Sequence, residues 1–218
     1  MKLPLDKRLK KRLHRDVGCL QDELVDLLYG VAPSLVLHGG TAVWRCFGGA
    51  RFSEDLDFYL PGVQADFEQA FRAVLHSRGL ELLKFKKTAN LIFAKVRNRD
   101  AEVRVEINFS KVALGVPLAY EKMDGTALVV FCIPLEALVL EKARAFCSRR
   151  LIRDVFDVYF LSLQLSDESG RGAFGKELAG LVSSLPAPLD ESTLDAIVYS
   201  GAVPSFAQMR DYLAGRFP

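Results

Sequence analysis

Ser34-Leu35-Val36-Leu37-His38-Gly39-Gly40-Thr41-Ala42-Val43-Trp44-Arg45-Cys46-Phe47, with Arg51-Phe52-Ser53-Glu54-Asp55-Leu56-Asp57-Phe58 just beyond it, is the stretch that decides how this chain folds. The apolar run over 34–37 is short and turns into a glycine pair, so a strand ends where backbone amides can come close to a ligand. The residues from Thr41 to Phe47 read as a short helix whose N-terminus attracts phosphate. Asp55 and Asp57 alternate with Leu56, Phe58 and Leu60, the pattern of a strand. That alternation puts both carboxylates on one face, where they can share hard divalent cations. A glycine pair alone is usually a turn, and Asp-x-Asp alone is usually a solvated strand face. Strand, turn, helix and strand in this order favour a phosphate-and-metal site.

Upstream, Leu5, Leu9, Leu13, Val17, Leu20, Leu24 and Leu27 recur at nearly helical spacing, as one helix or as two broken near Gly18, ended by Gly30 and Pro33. Downstream, Phe67, Ala70, Phe71, Val74 and Leu75 form a helical stripe before Gly79. Strands are expected over 80–85, 91–96 and 103–109, with Asn98-Arg99-Asp100 as a hairpin connection, and a further strand over 127–133. Helices follow from Pro134 to about Cys147 and from about Leu151 to Leu163, and the remainder is helical with breaks at Pro186, Pro188 and Pro204. The fold class is therefore α+β: a mixed sheet with flanking helices over 1–133, then a C-terminal helical lobe over 134–218 packed on it.

With 218 residues, half of them hydrophobic, the chain can bury one full core or a core plus a smaller lobe. The formal charge of +2 is uninformative as a total, but its distribution is not. Lys7, Arg8, Lys10, Lys11, Arg12 and Arg15 crowd the N-terminus, and Arg144, Arg149, Arg150 and Arg153 form a second group. Cys19, Cys46, Cys132 and Cys147 lack metal-ligand spacing and any secreted disulfide framework, which reads as reduced thiols. The basic N-terminus lacks the apolar segment of a signal peptide, and the run from Ala127 to Leu135 is too short to span a bilayer. A cytoplasmic protein without a membrane partner is the expectation.

Three further positions bear on chemistry. In Val103-Arg104-Val105-Glu106-Ile107-Asn108-Phe109 the apolar residues alternate strictly, so Arg104, Glu106 and Asn108 share a polar face. Glu106 is the candidate third acid of a two-cation site, which needs more than two carboxylates; its alternative is a salt bridge to Arg104 or Lys95. Lys142 falls inside the stripe Leu135, Leu138, Val139, Phe146, so its ammonium must snorkel or find an anion. Asp157 lies in Val155-Phe156-Asp157-Val158-Tyr159-Phe160-Leu161, apolar nearly all round, with Asp154 on the same face. A buried carboxylate needs a partner, and an ion pair of Lys142 with Asp157 or Asp154 supplies one. Thr41 caps its helix; Ser53 bonds a phosphate or caps a turn; Arg51 pairs with phosphate or with Glu54. His38 before a turn reads as structural.

Gly39-Gly40-Thr41-Ala42, then Arg51, Ser53 and Asp55-Leu56-Asp57-Phe58, resemble the nucleotidyltransferase signature of the AbiEii family, in the DNA polymerase β-like superfamily, which includes the toxins of AbiE and MenT toxin–antitoxin systems. The resemblance runs from about Leu35 to Leu163. Lys142, Arg149 and Arg153-Asp154-x-x-Asp157 resemble the family's C-terminal motif; Glu106 matches the superfamily's third acid, on a strand beside the Asp-x-Asp strand, but departs from the pattern, which prefers Asp there. It implies a polymerase β-like fold and transfer of a nucleotide from a nucleoside triphosphate to an RNA acceptor, notably a tRNA 3′ end, by a toxin with a cognate antitoxin. It also implies Mg²⁺ or Mn²⁺ on Asp55, Asp57 and Glu106, and nucleotide phosphates on Gly39, Gly40, Thr41, Arg51 and Ser53. Lys142 would bind the triphosphate, with Asp157 or Asp154 orienting it or activating the acceptor. The rival readings are nucleotidylation of a protein or small-molecule hydroxyl, and a nucleotide- or RNA-binding module without turnover.

Overall fold

Among the described residues, alternation of apolar positions builds a seven-stranded mixed sheet in the order β3 (Glu81–Lys87), β4 (Leu91–Arg97), β5 (Glu102–Asn108), β2 (Leu56–Tyr59), β1 (Val36–His38), β7 (Ala127–Cys132), β6 (Val116–Glu121). The computed structural model describes residues 3–62, 66–109, 114–169 and 172–218. Two compact units emerge, one formed by Met1–Gly48 with Phe52–Ile133, the other by Gly49–Arg51 with Pro134–Pro218.

The first unit contains α1 (Leu5–Arg8), α2 (Arg12–Val31), β1 (Val36–His38), α3 (Gly39–Cys46), β2 (Leu56–Tyr59), α4 (Phe67–Ser77), β3 (Glu81–Lys87), β4 (Leu91–Arg97), β5 (Glu102–Asn108), β6 (Val116–Glu121) and β7 (Ala127–Cys132). Strand β2 runs antiparallel to β1 and parallel to β5, and β1 runs parallel to β7, so the sheet is mixed at its centre. Ile92, Ala94 and Val96 of β4 and Val103, Val105 and Ile107 of β5 are buried on one face. Helices α2 and α4 pack on that side: Tyr29 meets the Phe58 ring edge-on at 6.1 Å, and the Arg72 guanidinium lies 5.4 Å from the Phe85 ring centre. The opposite face of β2, β5 and β4 carries Asp57, Glu106 and Phe93.

Two elements differ from the sequence reading. The N-terminal helices separate at residues 9–11 and not near Gly18, which lies inside α2. Gly18 is small because Met123 packs there; an added Cβ would sit 2.5 Å from its Sδ. Strand β6 was not expected, since Pro117 interrupts its apolar pattern. It survives as an edge strand, where a missing N–H costs no ladder bond. The hairpin at Asn98 forms as expected, with its Oδ1 accepting from the amides of Asp100 and Ala101, each at 2.9 Å.

The second unit contains α5 (Leu135–Arg149), α6 (Ile152–Ser162), α7 (Ala173–Val182), a 3₁₀ turn at Glu191–Thr193, α8 (Leu194–Ile197) and α9 (Phe206–Arg216). Arg150, at φ 58°, ends α5 in the left-handed conformation. The 49–51 segment joins this unit through a bridge from Arg51 to Val198. Nothing local to Gly49-Ala50-Arg51 signals that attachment. No helix of the described residues is long and apolar enough to cross a membrane.

Candidate active site

In the first unit the glycine pair and the acids are one structure. Asp57 is in register with His38 on β1 and with Glu106 on β5. In-register neighbours project to the same face, which places the Asp57 and Glu106 carboxylates side by side. Gly39 has φ +73°, and a Cβ built there would lie 2.3 Å from Asp57 Oδ2. Only glycine satisfies both the backbone conformation and the close approach. Gly40 follows, buried in the first turn of α3.

The cap expected of Thr41 does not form. His38 occupies the N-cap position without a side-chain cap bond to α3, and the buried Thr41 hydroxyl donates to the Asp55 carbonyl at 2.5 Å. Thr41 therefore ties the start of the acid strand to α3. Ser53 accepts on its carbonyl from Gln21 Nε2 at 3.0 Å, which anchors the same loop to α2. The His38 ring stacks on Tyr59 with centroids 3.8 Å apart, in keeping with a structural role.

Arg104 governs the electrostatics of the acid face. Its guanidinium donates to Asp55 Oδ2 and lies 3.5 Å from Glu106 Oε1. Burial works against its charge, but Asp55, Glu106 and Asp57 together outweigh that and raise its pKa. All these side chains remain partly open to solvent, 28% for Asp55 and 35% for Glu106. Among the described residues no three His, Cys, Asp or Glu side chains already form a metal cage. The donor set nevertheless fits a hard cation: three carboxylates gather on one face, with the Arg104 guanidinium against Asp55 and Glu106 and water able to complete an octahedron. A divalent ion there would have to displace Arg104 from Asp55 and Glu106.

The second unit holds a different constellation. Asp157 is fully buried and receives two bonds of 2.5 Å from Arg51 Nε and Nη2, a bidentate pair. Lys142 Nζ lies 3.2 Å from the same carboxylate and is 5% exposed. The choice left open by spacing is thus decided: Lys142 pairs with Asp157, while Asp154 accepts from Arg149 at 2.6 and 2.7 Å. Burial opposes the Arg51 charge, and Asp157 more than compensates, raising the pKa. Arg51 pairs with Asp157 and not with Glu54; sequence could not find a partner 106 residues away. The two basic groups of the sequence are partly engaged internally: Arg8 with Glu121 at 2.5 Å, and Arg149 with Asp154.

The profile of the family described as "Nucleotidyl transferase AbiEii toxin, Type IV TA system" matches residues 24–179. Among solved structures, a candidate nucleotidyltransferase from H. pylori aligns at a TM-score of 0.60 and 18% identity, over 91% of this chain and 92% of its own. MenT4, a nucleotidyltransferase toxin from Mycobacterium tuberculosis H37Rv, aligns at a TM-score of 0.59 and 19% identity, over 94% and 84% respectively. At these identities the two structures speak to the shared fold. No curated protein matches the sequence.

Proposed function

This chain belongs to the AbiEii nucleotidyltransferase toxin family, and from that premise we propose that it transfers a nucleoside monophosphate from a nucleoside triphosphate to an RNA hydroxyl, at a tRNA 3′ end, with Mg²⁺. Nucleotidyl transfer and the toxin class follow from the family; acceptor, site residues and metal are our reading. The observation that carries it is the register of Asp57 with Glu106 beside Gly39, which supports a carboxylate site next to an amide-lined turn.

In the reaction, the acceptor oxygen bonds to the α-phosphorus as it loses its proton, and the α–β bridging bond breaks to release pyrophosphate. Asp55, Asp57 and Glu106 would hold a divalent cation, which would supply charge to acidify the acceptor hydroxyl and neutralise the leaving group. Gly39 and Gly40 let phosphate oxygens approach backbone amides at the start of α3. Thr41 holds the acid strand against that turn through Asp55. Arg104 balances the carboxylates of Asp55 and Glu106, and would have to give them up for a cation to be held there. For Lys142 we propose the role of triphosphate ligand: Asp157 holds its head group in place, and an ammonium has three donors where this carboxylate uses one. Asp157 and Asp154 then act by positioning Lys142 and Arg149. A cognate antitoxin follows from the type IV toxin–antitoxin family as a further proposal.

Incubation with labelled nucleoside triphosphates, Mg²⁺ and total tRNA tests the reading. Label is expected in RNA from at least one nucleotide and lost in Asp57→Ala. Label that persists in that variant, or that enters only protein or small hydroxylated acceptors, overturns it.

A further inference from the structure

The open face of the sheet does not end at the acids. Because β2, β5, β4 and β3 are hydrogen-bonded in that order, their registers define rows running outward from the carboxylates. One row passes from Glu106 to Phe93 and on to Lys86. The next, through Arg104, reaches Lys95 and then Lys84. Burial alternation confirms the side: Ile92, Ala94 and Val96 are buried, while Phe93 and Lys95 are half-buried and Lys84 and Lys86 exposed. Lys84 Nζ lies 5.3 Å from the centre of the Phe93 ring, so cation and aromatic share the surface.

Charge separates along these rows. The acids gather at β2 and β5, and cations dominate at β4 and β3. Lys95 pairs with Glu102, whereas Lys84 and Lys86 have no acidic partner among the described residues. With strands about 4.8 Å apart, β3 lies roughly 14 Å from β2, a span of two to three nucleotides of extended strand. Solvated lysines on an edge strand have another common use, blocking edge-to-edge pairing. That use explains cations at the edge but not a half-exposed phenylalanine between them and the acids.

We propose that this face is the track for the acceptor strand: a base of single-stranded RNA stacks on Phe93 while Lys84 and Lys86 hold the flanking phosphates, with Lys95 in support. The combination of an aromatic platform and flanking cations suits single strands, because every base has a π-face and every nucleotide a phosphate. A strand so held presents its 3′ hydroxyl toward Asp57 and Glu106. This deepens the RNA-acceptor reading and rests on it.

The test is fluorescence anisotropy of the full chain with a labelled single-stranded oligoribonucleotide across a salt series, alongside KM for nucleoside triphosphate and for RNA. Lys84→Gln/Lys86→Gln is expected to weaken binding on the order of 20-fold at 0.1 M salt and to flatten the slope of log affinity against log salt by about 1.4, at ~0.7 for each phosphate no longer neutralised. Phe93→Leu, which keeps apolar bulk, is expected to weaken binding about tenfold with the slope unchanged. KM for nucleotide and Tm should not move in the lysine variant. The proposal is overturned if the lysine variant binds RNA with wild-type affinity and slope, if it merely self-associates with RNA binding intact, or if the wild type binds no single-stranded RNA. RNA labelling that is normal in the lysine variant defeats the track alone; absence of RNA labelling by the wild type defeats the acceptor reading as well.

Discussion

The sheet unit and the helical unit each bring opposite charges together, but they treat them in contrary ways. On the sheet, three carboxylates meet one guanidinium on a surface that water reaches. Among the helices, one carboxylate is clamped between two cations with no solvent exposure at all. The first arrangement leaves two negative charges in excess among its four groups, and its ion pairs are cheap to break because they are solvated. The second leaves one positive charge in excess among its three, and breaking it strands buried ions. Openness marks a site that exchanges partners, and enclosure marks one whose geometry is held.

Removing Asp157 is the most severe way to break this contrast. Asp157→Ala leaves Arg51 and Lys142 buried without their shared anion and is expected to lower stability by about 3–5 kcal/mol, read by denaturant unfolding. Asp57→Ala should do the converse. Turnover is expected to fall by about 10²–10³-fold, or roughly 3–4 kcal/mol in the barrier, with Tm nearly unchanged. If Asp57→Ala instead unfolds the chain, the acid face is a scaffold and the contrast disappears.

Gly39→Ala sharpens the comparison from the backbone side. A methyl there meets Asp57 Oδ2 and must adopt a left-handed φ, so a loss of about 1–2 kcal/mol in stability is expected. Displacing Asp57 by even an ångström should cost about 10²-fold in rate. Arg104→Gln should act in the opposite sense on the metal. With the competing guanidinium gone, the Mg²⁺ concentration for half-maximal turnover is expected to drop by up to about fivefold, the scale of an exposed ion pair.

The smallest effect concerns pH. His14 stacks on Phe52 at 3.9 Å, and burial, then the Lys11 charge, depress its pKa below 6.5. Since the unfolded chain then takes up the proton more readily, this contribution to stability is present above pH 6.5 and is lost as pH falls through 6.5 toward the lower folded value. Tm of His14→Asn should therefore fall less than wild-type Tm between pH 7 and pH 5.5, both measured by thermal scan.

Local pattern and distant pairing were not equally legible. Strict alternation in 103–109 placed Glu106 and Arg104 on one face, and the helical stripe placed Lys142 inward, because a side chain's direction follows from backbone periodicity alone. Strand β6 escaped because an edge strand tolerates proline and exposes half its apolar residues, so its pattern does not alternate cleanly. Of the two readings of the N-terminal stripe, a break near Gly18 fails because Gly18 serves Met123 packing inside α2, which no local signal reports.

By itself the sequence determined which residues carry the charge, which of them face inward, and that Asp55 and Asp57 share a side. Only the tertiary structure decided their company: Asp57 against Gly39 and beside Glu106, Arg51 on Asp157, Arg104 across the acids. Periodicity is a property of a few consecutive dihedral angles, whereas a partner many residues away is chosen by strand register and by the packing that brings two segments together.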